Sequence, residues 1–432
     1  MAREMKFSGV DWLGDIPKDW DISRTKNFYT NKKQVAGNEA DNYERLALTL
    51  NGVIKRSKED ANGLQPEAFN GYQVLRENQL VFKLIDLENV ATSRVGYSPY
   101  TGIVSPAYIV LNPNKENESR YGEYFFLSMW QREVFNHMGD DGVRSSLNSS
   151  DLLNIPYPKV PDKEKGAIVS FLDRKCAEID TVIEKTKATI EEYKKLKQSV
   201  ITEAVTKGVR GDRAMKDSGI DWIGDIPAEW EIRKLFRAID KIGDIDHYMP
   251  NSVETGIPYL MTGDLKEKIS QVDFDVCKQV SLEDYETLSS KIKATKGDII
   301  FARYATIGTV CIVDIDKDFL VSYSCLTIKP TQSLLIGNFL FYYLKSTAFF
   351  EDVKQYINSN TQANVGLDSM TKAKIVLPSL QEQEEIADFL DRKCAEIDKL
   401  IADKTHLLDE MESYKKSVIY EYVTGKKEVK NH

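Results

Sequence analysis

The chain repeats itself, and no other feature narrows its possible folds so sharply. Residues 5–17 read MKFSGVDWLGDIP and residues 215–227 read MKDSGIDWIGDIP, ten of thirteen positions being identical at an offset of 210. Residues 171–180 and 389–398 both read FLDRKCAEID, at an offset of 218. The offsets differ by eight, so the repeat is a half-chain of a little over 200 residues whose middle varies in length. Each half is therefore a variable globular region followed by a constant segment, and a chain of 432 residues is in any case too long for one ordinary core.

The constant segments have the apolar spacing of long helices. Leu172, Cys176, Ile179, Ile183, Ile190, Tyr193, Val200 and Ala204 follow alternating steps of three and four, with Thr186 and Lys197 filling the gaps. In the second copy Leu390, Cys394, Ile397, Ile401, Leu408, Met411, Val418 and Tyr422 keep the same register, interrupted by Lys404 and Lys415. The spacing predicts two helices of about 40 residues. Pro378 and Ser379 mark the start of the second, with Glu382 placed for a capping box; Gly208 and Gly211 mark the end of the first. A lone helix would leave its stripe in water, so the two are expected to pack on each other, antiparallel because a globular region separates them. A plain dimerisation coil has the same periodicity. Against it, Arg174, Lys175, Glu178 and Asp180 recur as Arg392, Lys393, Glu396 and Asp398. Either the duplication is recent, or both helices present one surface to identical partners. On the second reading Arg174, Lys175, Glu178, Arg392, Lys393 and Glu396 are candidate partner-binding residues.

Residues 18–158 and 228–377 alternate short β-rich runs with Gly, Asn and Pro turns, as in residues 79–84 (QLVFKL) and 297–302 (GDIIFA). Landmarks correspond between them: Leu80, Val81 and Phe82 with Ile299, Ile300 and Phe301; Val104 and Ser105 with Val321 and Ser322; Leu147 and Pro158 with Leu367 and Pro378. The expected fold class is α+β: two mixed α/β domains joined by two long antiparallel coiled-coil helices, with an internal pseudo-two-fold repeat. The expected divisions are a first domain over 1–160, a central helix within 161–210, a second domain over 211–378 and a C-terminal helix within 379–432. One scaffold carrying two different surfaces is what a pair of readers with different targets requires.

Several stretches carry a resemblance: residues 241–250 (KIGDIDHYMP) and 256–265 (GIPYLMTGDL), residues 297–313 (GDIIFARYATIGTVCIV), and residues 361–386 (TQANVGLDSMTKAKIVLPSLQEQEEI). Together with the duplication and the two helices, over nearly the whole chain, they resemble the target-recognition domains and helices of type I restriction-modification specificity subunits. The resemblance implies that each domain reads one half of a split, asymmetric site in double-stranded DNA, while the helices set the gap and dock two modification subunits. It implies restriction subunits as further partners. S-adenosylmethionine, ATP and Mg would be bound by those partners, leaving this chain without a cofactor.

The residues themselves fit a non-catalytic role. There is no N-P-P-[YFW] tetrad or Gly-rich donor loop for methyl transfer; Ser98, Pro99 and Tyr100 read as a turn. There is no G-x-x-x-x-G-K-[ST] phosphate loop for ATP. The run from Pro161 to Lys165 (PDKEK) superficially looks like a nuclease cluster, but acidic residues at a helix start offset its dipole, and we read it so. His247 lies in a polar loop with no nucleophile motif nearby. The five cysteines never form a C-x-x-C pair, which favours reduced, mostly buried thiols and no metal site. With 42% hydrophobic and 29% charged residues, no signal-like N-terminus and no apolar run near bilayer length, a folded cytoplasmic protein without a membrane partner is expected.

Net charge argues the other way for DNA: −9 overall, with −2 over residues 1–160, +2 over 161–210, −5 over 211–378 and −4 over 379–432. DNA contact must therefore come from local clusters, or be shared with a partner that supplies phosphate contacts. Base reading favours Arg, Lys, Asn, Gln, Ser and Thr on elements that enter a groove. In the first domain the candidates are Lys55, Arg56, Lys83, Arg94, Arg144, Ser145 and Ser146. In the second they are Asp244, His247 and Tyr248; Arg303, Tyr304 and Thr306; and Asn358, Asn360, Thr361, Gln362 and Asn364 from an amide-rich run. Each alone is equally a solvated loop residue. Two rival readings stay open: a specificity subunit of a type II-like enzyme, separable by neighbouring genes, and a protein-binding scaffold, separable by duplex binding with a bipartite consensus.

Overall fold

The computed structural model describes residues 3–60, 68–85, 87, 93–115, 118–138, 146–304, 308–356 and 365–429. Two compact units divide the chain: residues 1–186 with 406–432, and residues 187–405. Each unit holds one variable region and one end of each long helix.

The first unit opens with a hairpin of Met5–Phe7 on Asp15–Pro17, the first copy of the repeated motif. Its main sheet runs in the order Tyr29–Thr30, Ile109–Pro113, Leu80–Phe82, Val95–Tyr97, antiparallel throughout. A second sheet runs Gly52–Arg56, Arg45–Thr49, Gly102–Val104, Gln73–Leu75, with Gly102–Val104 parallel to Arg45–Thr49. A ribbon of Asp21–Arg24 on Pro156–Lys159 closes the region. The second unit repeats this plan. Its hairpin is Met215–Asp217 on Asp225–Pro227. Its main sheet runs Ile239–Gly243, Cys325–Pro330, Ile299–Ala302, Val310–Ile312. The smaller sheet runs Lys278–Val280, Ile257–Leu260, Leu320–Val321, again with one parallel pair. Glu231–Lys234 pairs with Lys374–Leu377.

Both main sheets are apolar on two faces because each divides two cores. In Ile299–Ala302, Ile299 and Phe301 point into a core with Phe339 and Tyr343 of helix Gly337–Lys345, while Ile300 and Ala302 join Leu260 and Val321 on the other side. The period-two alternation of a strand thus feeds both cores without a polar position. Leu80 and Phe82 face Phe125 and Phe126 of helix Glu118–Gln131 in the same way, and Val81 faces Leu46 and Val104. Of the landmark residues, Leu80, Val81 and Phe82 correspond on these strands to Ile299, Ile300 and Phe301, and Val104 and Val321 lie on corresponding strands of the smaller sheets.

The central helix spans Asp162–Lys207 and the C-terminal helix Leu380–Val423, 46 and 44 residues. In the first unit Leu172 and Cys176 are buried with Val418 and Val423, Phe171 stacks on Tyr422 at 4.2 Å, and Lys415 holds Asp180 at 2.6 Å. In the second, Ile201 and Val205 share a core with Ile386 and Leu390, and Lys197 holds Asp398 at 2.7 Å. Higher numbers on one helix meet lower numbers on the other, so the packing is antiparallel. The two ion pairs are each other's counterparts at the offset of 218. Near the end of the central helix the buried face moves off the expected seam: Val200 is half-buried, while Ile201 and Val205 are fully covered. A strict seven-residue repeat drifts by about 20° per heptad on a straight helix, and here the globular core covers the side exposed by that drift.

The helix starts differ from the capping-box expectation. The Glu382 amide donates to Ser379 Oγ at 3.3 Å, but the Glu382 carboxylate turns away, accepting from Trp230 Nε1 at 2.9 Å and from Arg213. Glu164 does the same in the first half, taking Trp20 Nε1 at 2.9 Å and pairing with Arg3. The run from Pro161 to Lys165 is a helix start, as read, and its acid is a clasp for the repeated hairpin motif. The helix ends at Gly208 and Gly425 take φ of +79° and +68°, where a Cβ at Gly425 would lie 2.4 Å from Pro17. Both stops lean on the tryptophan that the clasp holds.

Candidate nucleic-acid interface

In the first unit Lys55 and Arg56 end the strand Gly52–Arg56. Lys55 is exposed, pairs with Glu44 at 2.6 Å and lies 5.3 Å over the Tyr100 ring; Glu44 raises its pKa. Arg56 donates to Asp60 at 2.8 Å. An open groove here is lined by both, with Arg45 and Lys58 beside them. Arg45 and Lys58 each sit 5.6 Å over the Phe69 ring, and sequence reasoning missed both because residues 43–69 look like an ordinary turn-rich stretch.

Lys83 and Ser146 come together through the backbone: Lys83 N–H donates to the Arg94 carbonyl at 3.0 Å, and Ser146 bridges Ile85. Ser146 is exposed and Lys83 half-buried. Arg94 corrects the expectation. It is fully buried, with Nη1 donating to the Ile85 carbonyl at 3.1 Å, so it has no surface to offer a groove. Arg144 and Ser145 lie outside the described residues, as do Thr306, Asn358, Asn360, Thr361, Gln362 and Asn364.

In the second unit the fold assembles what the sequence separates. Asp244, just past the strand Ile239–Gly243, accepts from Arg303, at the end of Ile299–Ala302, and from Lys291 at 3.3 Å. His247 Nε2 lies 3.2 Å from Asp244 Oδ2, and its ring stacks on Tyr323 at 4.9 Å. Burial pushes the Asp244 carboxyl up, but the His247 hydrogen bond and the charges of Arg303 and Lys291 outweigh it and hold the group below its ordinary value. Arg303 is 8% exposed, so it serves the surface from below; its guanidinium lies 4.9 Å over the Tyr304 ring. Tyr248 is 50% exposed. Lys291 and Tyr323 were not expected here, since nothing local marks them.

The six candidate partner residues are on the long helices and outside their apolar seams. Arg174 and Lys175 pair with Glu178 on the first, and Lys393 with Glu396 on the second, all between residues three or four apart; Arg392 is exposed. All five cysteines are free and buried, and burial pushes the Cys176 and Cys394 thiols up to about 11. Among the described residues no group of His, Cys, Asp and Glu is placed to hold a metal ion, and no helix is long and apolar enough to cross a membrane.

Comparison with known proteins agrees with this architecture. Residues 227–408 match the family model of the type I restriction modification DNA specificity domain. The chain is 26% identical to the type I restriction enzyme MjaVIII specificity subunit of Methanocaldococcus jannaschii, over 99% of this chain and 97% of that one. Its fold matches a chain from a study of complex assembly and conformational transition of the type I R-M system, at TM-score 0.69 and 15% identity over 94% of this chain and 98% of that one. It also matches the HsdS subunit of Thermoanaerobacter tengcongensis, at TM-score 0.50 and 15% identity over 95% and 98%. With a twice-built sheet scaffold, two long helices and a family model over residues 227–408, the chain is similar to the DNA specificity subunits of type I restriction-modification systems.

Proposed function

We propose that this subunit reads a bipartite, asymmetric site in double-stranded DNA, one half with each sheet-rich region, while the two helices set the spacing and each docks one modification subunit. The observation that carries the reading is one topology built twice with different surfaces upon it. After the edge strand of the main sheet the first unit carries Lys32 and Lys33, whereas the second carries Asp244 and Asp246. A shared scaffold with divergent polar loops supports two targets of different sequence. Recognition is assigned to Lys55, Arg56, Lys83 and Ser146 in the first unit and to the Asp244, His247, Tyr248, Arg303 and Tyr304 cluster in the second. Arg144, Ser145, Thr306 and the amide run from 358 to 364 extend these two sets.

Docking is assigned to Arg174, Lys175 and Glu178 and to their repeats Arg392, Lys393 and Glu396. Two identical charge patterns on two helices support two copies of one partner. S-adenosylmethionine, ATP and Mg belong, on this reading, to the modification and restriction subunits, and this chain carries no cofactor. The test is to replace residues 228–377 with the matching region of a relative and map methylated bases in host DNA. One half of the methylated motif should change and the other stay; changes in both halves would overturn independent reading.

A further inference from the structure

The second reading face is built around a carboxylate that a DNA-binding surface has no evident need for. Asp244 is only 14% exposed, and its two oxygens face Arg303, His247 and Lys291. Lys291 is shared with Asp246 at 3.3 Å. Two acids thus stand against one guanidinium and one ammonium, and the cluster carries no net charge apart from the His247 ring. Arg303 is held but not saturated: Nη2 also reaches the Tyr323 carbonyl at 3.3 Å, while the buried Nε meets no acceptor among the described residues.

We propose that Asp244 is an internal competitor for DNA: in the free subunit it occupies the cations of the second reading face, and only a matching half-site supplies acceptors good enough to replace it. This rests on the reading of that face as a DNA contact. An unmatched duplex offers phosphates, but taking the cations from Asp244 leaves a half-buried carboxylate unpaired. That cost is recovered only where base-edge acceptors, such as the paired O6 and N7 of guanine for an arginine, meet the released groups. Discrimination then comes from a penalty on wrong partners as well as from attraction to the right one. It also accounts for a reading domain whose net charge is −5 over residues 211–378.

The test uses the full chain in its assembled complex, with a duplex carrying the mapped methylation motif and a random-sequence duplex of equal length. Asp244→Asn frees one positive charge. Binding to the random duplex should tighten by up to about eightfold at 0.1 M salt, and its log–log salt slope should steepen by about one, as for one added phosphate contact. Binding to the motif should gain less, so the specificity ratio falls. Asp244→Asn combined with Lys291→Gln restores the charge balance and should return random-duplex affinity to wild type, which separates the effect from loss of folding. An unchanged random-duplex affinity in Asp244→Asn, or loss of motif binding with no gain on the random duplex, overturns the proposal and makes Asp244 a structural residue or a direct base reader. Lys291→Ala distinguishes the underlying reading. If it weakens binding while Asp244→Asn has no effect, only the competitor idea fails; if Lys291→Ala leaves both affinities at wild type, this face does not touch DNA.

Discussion

Glu164 and Glu382 occupy matching positions in the repeat, yet their surroundings differ enough to separate their contributions. Glu382 is 3% exposed against Arg213 at 11%, whereas Glu164 is 24% exposed against Arg3 at 19%. Removing one partner of a buried pair leaves the other charge uncompensated, which costs about 3–5 kcal/mol; partly exposed pairs contribute about 1 kcal/mol or less. Glu382→Ala should therefore lower the unfolding free energy of the second unit by about 3 kcal/mol. Glu164→Ala should cost the first about 1 kcal/mol plus its lost tryptophan hydrogen bond. Urea denaturation followed by tryptophan fluorescence checks both, and equal losses would show that the second clasp is not the more buried one in solution. The glutamates were visible in the sequence, but a Ser three residues before Glu382 suggests a cap, and only the fold brings Arg213 and Trp230 to it. Burial hides the surroundings of candidate site residues in the same way. A sequence displays the guanidinium of Arg94 without showing that it is enclosed, and it cannot bring Lys291 to Asp244 across 47 residues.

At the scale of single elements the long helices were legible because one stripe of Leu, Ile and Val determines their packing, and strands such as Ile299–Ala302 because continuous apolar runs need two cores. The surface beside the stripe carries a sharper expectation. Phe171, Arg174, Glu178 and Val182 follow one another at steps of three and four along one flank of the central helix, and Val182 is 43% exposed. Leu400 holds the corresponding place on the C-terminal helix and is 42% exposed. Apolar side chains left in water beside a repeated charge pattern suit a partner with an apolar centre and a polar rim. Val182→Asp puts a charge there without touching the buried seam, so helix content and melting temperature should stay within about 0.5 kcal/mol equivalent of wild type. Mass measurement of the complex at saturation should then fall from two modification subunits per chain to one. Two retained subunits at saturation would move the docking surface away from this flank. Val182→Asp with Leu400→Asp should leave none.

For the whole molecule, the repeat made two like regions legible, while on the proposed reading the length of DNA between two half-sites is fixed by no residue that can be read directly. If the helices act as the ruler, that length must follow theirs. Four residues inserted after Lys187 and four after Thr405 fall where the chain passes between its two compact units. Each insertion lengthens its helix by about 6 Å at 1.5 Å per residue. It also turns the helix by about 400°, so the faces beyond it are rotated by only about 40° from their former direction. Inserting in both helices together keeps Asp180 opposite Lys415 and Lys197 opposite Asp398, because each pair lies wholly on one side of the insertions. Stability is expected to fall modestly through the local disturbance of the heptad seam, so assembly of the variant is measured first. In DNA, about 6 Å corresponds to at most two base pairs at 3.4 Å per step along a strand. The methylated motif of the variant should keep both half-site sequences, with the gap between them one or two base pairs longer. A folded, assembled and active variant that methylates at the original spacing would show that something other than these helices sets the distance.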